Sequence, residues 1–213
     1  WVQSLDRYGV DKIVLQTAPY GGNDAVAEFV KGAPDRFVPL ANIDFFDPQG
    51  SNAIQELDRC INDLGLKGIG ELYPQIGPWD PGDEKVFPIY EKAQELGVPI
   101  MIHGGTEFGG AWNDQRFSDP YMLDPALRAF PNLNFIVCHM AQDFVDKLFN
   151  LMRARRNVYA EISGFSGDMG DVLVTSFWQA YTLLDVTPQH LTNKFLAAGL
   201  EDRILWANDT QAP

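Results

Sequence analysis

The sequence predicts a parallel α/β barrel of the (β/α)8 TIM type, and three observations carry that expectation. Seven short apolar segments alternate with amphipathic ones along 213 residues; strict alternation implies parallel strands joined by right-handed crossovers. Three of the apolar segments run into a residue able to bind a metal: His103, His139 and Asp209. No G-x-G-x-x-G or G-x-x-x-x-G-K-[ST] loop is present, so an open nucleotide-binding sheet has less behind it than a barrel.

Taken in order, residues 1–10 are expected to be helical, with Gly9 as the stop. A strand over 12–18 leads into a Pro- and Gly-rich turn. Asn23 or Asp24 is expected to cap a helix bearing Val26, Phe29 and Val30. After a strand over 37–43, Ser51 or Asn52 is expected to cap a helix with Ile54, Leu57, Ile61 and Leu64 at helical spacing. Gly65 closes it, and the strand over 66–72 ends near a glutamate, Glu71. Residues 83–96 read as the next helix, with Pro88 in its first turn and Gly97 as its stop.

Val98-Pro-Ile-Met-Ile-His-Gly-Gly105 is the central stretch. Its short apolar run, bounded by proline and glycine, reads as a strand buried on both faces with an imidazole at its carboxyl end. A polar, aromatic loop follows to Pro120, then a short helix over 121–130 and a strand over 134–139. Helix 142–155 and strand 157–163 come next. Helical pieces around 172–184 and 190–198 precede a last strand over 203–209.

Composition narrows the function classes. The net charge is −13, with 16 Lys and Arg against 29 Asp and Glu, and the sequence pI is about 4.5. Nucleic-acid binding needs a basic face, so that class is excluded and the acidity reads as solubility. No apolar run reaches the roughly 18 residues of a membrane span, and residues 1–7 lack a signal-peptide pattern. With two cysteines, both on apolar faces, no disulfide framework exists; a reducing cytoplasm is the expected location.

In a parallel barrel all strand carboxyl ends open on one face, so His103, His139 and Asp209 would meet there despite their separation in sequence. A catalytic zinc site keeps about three protein ligands and one open position. Asp209 and His139 are the candidates for proton transfer. Glu71 could bridge metals, orient a histidine, or pair with a cation. Glu161 also ends a strand, but strand parity can send it to the helix layer, and it reads as structural. Arg116 could hold a substrate carboxylate, with Trp112 walling the pocket, and His190 reads as a surface residue.

These stretches resemble the amidohydrolase superfamily, in the amidohydrolase-related branch that includes aminocarboxymuconate-semialdehyde decarboxylase and resorcylate decarboxylases. The resemblance rests on Pro99-Ile-Met-Ile-His-Gly104, Phe130-Pro-Asn-Leu-Asn-Phe-Ile-Val-Cys-His139 and Asp202-Arg-Ile-Leu-Trp-Ala-Asn-Asp209, with Gly9–Leu15 and Leu64–Gly70 in support. It implies a barrel of the metal-dependent hydrolase type, with His103 as the ligand from the family's fifth strand. His139 would be the sixth-strand ligand or an acid/base beside the metal, Asp209 the eighth-strand ligand and base, and Glu71 the occupant of the fourth-strand position. The family's first strand carries a His-x-His pair that this sequence lacks. The expectation is therefore one incomplete barrel domain over 1–213, without the first strand and final helix. Its exposed strand edges would favour association with a second copy.

The leading functional expectation is a divalent metal, zinc or alternatively manganese, activating water against an amide, ester or lactone of a small substrate. The second is metal-dependent, non-oxidative decarboxylation of an unsaturated or aromatic acid. The third is a non-catalytic scaffold.

Overall fold

The structure is a computed structural model that describes residues 1–16, 22–44, 47, 48, 50–105, 113–163, 188–205 and 207; for 188–192 it describes the backbone alone. Seven strands are present among these: β1 (Ile13–Leu15), β2 (Phe37–Pro39), β3 (Ile69–Leu72), β4 (Ile100–Ile102), β5 (Phe135–Val137), β6 (Val158–Glu161) and β7 (Ile204–Leu205). Helices α1 (Val2–Tyr8), α2 (Asn23–Val30), α3 (Ser51–Asn62), α4 (Phe87–Leu96), α5 (Asp124–Ala129), α6 (Val145–Ala154) and α7 (Pro188–Ala197) alternate with them.

Every strand pair is parallel. β1 pairs with β2, and β3 to β7 pair in sequence order. Ala41, just past β2, bridges the two groups: its N–H donates to Gly68 at 2.8 Å and its carbonyl accepts from Gly70 at 3.0 Å. A doubly wound sheet reverses its strand order at a switch point. Here the order never reverses, which is the wall of a barrel.

The helices bury one stripe each against that wall. On α3, Ala53, Leu57 and Cys60 sit at spacings of four and three, and all are buried. α4 turns Ile89, Tyr90 and Ala93 to the core at zero exposure, and Lys92 pairs with Asp58 of α3 at 2.7 Å. Tyr90, Phe87, Phe130 and Phe135 pack edge-on and tilted, with ring centroids 5.1–6.2 Å apart, a geometry the ring quadrupoles favour. Arg203 closes α6, donating to the carbonyls of Met152, Arg155 and Val158. Arg155, at the end of α6, crosses to Asp124 of α5 at 2.7 Å.

Three helix starts differ from expectation. The residues flanking α2 and α3 on the amino side are Gly22 and Gly50, not Asn23 or Ser51. Asn23 is buried because its amide is used elsewhere: it donates to the carbonyl of Asn42 at 3.0 Å and to Glu56 at 2.7 Å, and accepts from Asn42 N–H at 2.8 Å. α4 begins at Phe87 rather than residue 83. Asp80 and Asp83 draw the N–H groups of Gly82 and Lys85 into local turns at 2.7 and 2.9 Å, the competition by which aspartate delays a helix. Both cysteines are free and buried, and among the described residues no helix is long and apolar enough to cross a membrane.

Candidate metal centre

β3, β4 and β5 bring Glu71, His103 and His139 together at their carboxyl ends. Glu71 is the third residue of β3, and His103 follows β4 directly, its N–H continuing the ladder to Leu72 at 2.8 Å. His139 lies two residues past β5, in a turn that sequence periodicity does not announce. Residues 139–141 have φ of 56°, 47° and 55°, the left-handed region that costs a non-glycine residue about 1–2 kcal/mol.

Local chemistry explains how that turn is held. The N–H of His139 donates to Glu161 Oε1 at 2.5 Å. Met140 and Ala141 are buried. On the other side lies Gly104, where a Cβ would sit 2.5 Å from Val137 Cγ1, 3.0 Å from the Cys138 carbonyl and 3.1 Å from Ala141 Cα. The glycine after His103 is thus the space into which the His139 turn folds. Gly105, at φ 94°, likewise lies against Gln142.

The ligand atoms of Glu71, His103 and His139 all lie within 4.8 Å of one another, and all three residues are buried. Glu71 Oε1 is 2.9 Å from His103 Nδ1 and 3.6 Å from His139 Nε2. Its Oε2 accepts from Tyr73 Oη at 3.2 Å and from Gln16 Nε2 at 3.4 Å. Burial would push the Glu71 carboxyl up, but the hydrogen bond with His103 and the closeness of both imidazoles outweigh it and hold the group well below the ordinary 4.5. Tyr73 also stacks on His103, with centroids 5.5 Å apart.

Beyond His139, Ser163 Oγ lies 2.8 Å from Nδ1 and donates to Glu161 Oε1 at 2.7 Å. Glu161 is 2% exposed. The expectation that it serves the helix layer is corrected: it holds both the backbone and, through Ser163, the ring of His139.

A buried carboxylate and two imidazoles converging without a competing Lys or Arg in the set suit a divalent ion with nitrogen and oxygen ligands. Glu71, His103 and His139 therefore fit such an ion, with no preference shown between zinc and manganese. Arg116 lies apart from the set as an exposed side chain, paired with Asp114 at 2.5 Å and with its guanidinium 5.6 Å from the Phe117 ring; that pairing holds the Asp114 carboxyl below its ordinary value. Asp209, Trp112 and the side chain of His190 lie outside the described residues.

Tyr73, Gln16 and Ser163 were not anticipated. A signal for two of them was present: Glu71-x-Tyr73 and Glu161-x-Ser163 each put a hydroxyl two residues past a strand-end carboxylate, on the same face.

Known proteins resemble this chain in sequence and in fold. The chain is 34% identical over 118 residues to 2-amino-3-carboxymuconate-6-semialdehyde decarboxylase of Dictyostelium discoideum, covering 48% of this chain and 32% of that protein. It is 30% identical over 148 residues to gamma-resorcylate decarboxylase of Rhizobium radiobacter, covering 56% and 43%. The chain's matches thus span less than half the length of these curated relatives. Among solved structures, a TIM-barrel protein of Bordetella bronchiseptica superposes with a TM-score of 0.68 at 20% identity, over 97% of this chain and 68% of that one. A dihydroxybenzoic acid decarboxylase of Polaromonas sp., with bound manganese and the inhibitor 2-nitroresorcinol, gives 0.67 at 20% identity, over 98% and 74%. These likenesses show the barrel fold. Residues 6–210 match the amidohydrolase family, and the chain belongs to it.

Proposed function

We propose that the chain is part of a metal-dependent, non-oxidative decarboxylase acting on a small unsaturated or aromatic carboxylic acid. The observation that carries the reading is the buried convergence of Glu71, His103 and His139 at adjacent strand ends, in a family whose matched relatives include decarboxylases. Hydrolysis of an amide, ester or lactone is the leading expectation from the sequence alone. The names of the relatives favour decarboxylation instead.

In this reading Glu71, His103 and His139 hold a divalent ion, with Asp209 as a further ligand and base. The manganese in the solved Polaromonas and Novosphingobium decarboxylases supports manganese beside zinc. When bound, the ion supplies Lewis acidity and positive charge to the substrate's oxygens. The protein's own residues do the rest. Glu71 carries the compensating negative charge, and Tyr73 and Gln16 fix its second oxygen. Nε2 of His139 faces the site and is the atom through which that residue would ligate or, after taking up a proton from solvent there, deliver it to carbon as carbon dioxide leaves. Trp112 and Arg116 are proposed substrate contacts. Arg116 serves only if a substrate carboxylate displaces Asp114, which now occupies its donors.

The hydrolase reading is kept because the barrel also superposes, at a TM-score of 0.67 and 16% identity, on a probable 2-pyrone-4,6-dicarboxylic acid hydrolase of Acinetobacter baumannii. The test is metal analysis followed by a panel of small unsaturated and aromatic acids, reading carbon dioxide and hydrolysis products together. Carbon dioxide without hydrolysis supports the proposal; ester or lactone cleavage without carbon dioxide overturns it. A chain that takes up neither zinc nor manganese points to a non-catalytic scaffold.

A further inference from the structure

We propose that Glu161 and Ser163 are positioning residues that hold His139 with its proton on Nδ1, so that the Nε2 lone pair faces Glu71. The importance of this for activity rests on the reading above; the tautomer itself does not.

Ser163 Oγ lies between two partners, His139 Nδ1 at 2.8 Å and Glu161 Oε1 at 2.7 Å, and a hydroxyl has one proton to give. Glu161 receives three donors: the N–H of His139 at 2.5 Å, the N–H of Ser163 at 3.0 Å and the Ser163 hydroxyl. A carboxyl met by three donors is acting as an acceptor. Ser163 therefore gives its proton to Glu161 and offers a lone pair to Nδ1, which must carry the ring proton. Glu161 cannot replace it directly, because its oxygen is 3.5 Å from Nδ1, at the outer limit of a hydrogen bond.

On the opposite side of the ring, Nε2 faces Glu71 Oε1 at 3.6 Å. With the proton fixed on Nδ1, both atoms turn lone pairs to the same space, a setting that suits a cation. The relay thus prepares the site for a positive charge before any ion arrives. It also separates this cluster from a hydrolytic Ser-His-Glu triad, in which the serine sits on Nε2 and the carboxylate on Nδ1. Here serine and carboxylate share the Nδ1 side and the serine proton is committed, so Ser163 is no nucleophile.

The chain has three histidines, so long-range proton–nitrogen spectra of the ¹⁵N-histidine-labelled, metal-free 213-residue protein resolve each ring. His139→Gln assigns the signal. At pH 8 the wild type is expected to show His139 as the Nδ1–H tautomer, and Ser163→Ala to move it toward Nε2–H. Zinc affinity by titration is expected to fall 10- to 100-fold in Ser163→Ala, the usual effect of removing a residue that orients a ligand. A wild-type His139 protonated on Nε2, or an alanine variant still protonated on Nδ1, overturns the proposal. The wild-type spectrum decides the first point even if the variant folds poorly. Neither measurement involves a substrate, so failure here is distinct from failure of the decarboxylase reading.

Discussion

Gly104→Ala is the substitution that tests how the two histidine-bearing strand ends depend on each other. A Cβ there meets Val137 Cγ1 at 2.5 Å, the Cys138 carbonyl at 3.0 Å and Ala141 Cα at 3.1 Å. Two of the three contacts are backbone, and the third is a β-branched side chain 1% exposed in β5. None is the flexible end of a long side chain, so relief requires moving the strand or the left-handed turn. Overpacking of this kind costs about 1–3 kcal/mol, and the backbone contacts argue for the upper half, about 2–3 kcal/mol. With a urea slope of roughly 1–3 kcal/mol per molar, the midpoint should fall by about 1 M. The melting temperature should fall by several degrees, at about 2–4 °C per kcal/mol for this size. Gly32→Ala is the control: its Cβ would meet only the Phe29 carbonyl, at 3.6 Å, so it should be neutral or stabilising by about 0.4–1 kcal/mol. Equal urea midpoints for the two variants would refute the claim that Gly104 is the space for the His139 turn.

Other perturbations read separate parts of the molecule. Glu71→Gln keeps the side-chain shape and removes the charge facing both histidines; zinc or manganese affinity by calorimetry should fall about ten- to a hundredfold, the worth of a charged hydrogen bond of about 1.5–3 kcal/mol, and an unchanged affinity would remove Glu71 from the ligand set. Asn157 Nδ2 faces the carbonyls of Leu127, Phe130 and Leu133 at 3.2, 2.9 and 3.1 Å, so Asn157→Ala should cost about 2–3 kcal/mol in urea unfolding by stranding buried acceptors. The Arg59 guanidinium, with help from Asn23 and Cys60, holds the Glu56 carboxyl at about 2 against an ordinary 4.5, despite opposing burial. A depressed carboxyl contributes stability above its unfolded value and loses it as pH falls toward its folded one. With a third of the side chain exposed, about 1 kcal/mol remains after solvent screening. The stability gap between wild type and Glu56→Gln should therefore be full near pH 6 and close between about pH 4.5 and 2; a gap constant with pH would exclude this pair as its source.

The strands and their alternation were legible because they depend on local periodicity. All seven expected segments contain an observed strand, and the sequential pairing follows from right-handed crossovers. What local pattern could not show was competition for the same polar group. Asn23 has the chemistry of a helix cap and sits beside the helix start, yet its amide ties α2 to Asn42 and Glu56. Arg203 caps α6 from about fifty residues away, a partnership that exists only after the barrel wall forms.

The same distinction separates the two histidines of the site. His103 was legible in full, because it continues a regular ladder and strand parity fixes where it emerges. His139 was legible as a residue but not as a geometry, because its direction is set by three successive left-handed residues and a fourth, Gln142, also of positive φ. No periodicity encodes that turn; about 3–6 kcal/mol of backbone strain must be offset by contacts from elsewhere. Those contacts are the Glu161 carboxylate on the His139 N–H, the buried Met140 and Ala141, and the absent side chain of Gly104. Glu161 was misread for the same reason: its role is defined by a backbone N–H that points toward it only in the strained turn. Yet the order of residues did hold a sign. A carboxylate with a hydroxyl two positions on, at the ends of β3 and β6, gives each glutamate a donor on its own face. The two glutamates then divide the work on His139, Glu71 facing Nε2 and Glu161 acting through Ser163 on Nδ1. The site is thus an imidazole held on its Nδ1 side and turned toward Glu71 on the other, not a set of ligands at the ends of independent strands.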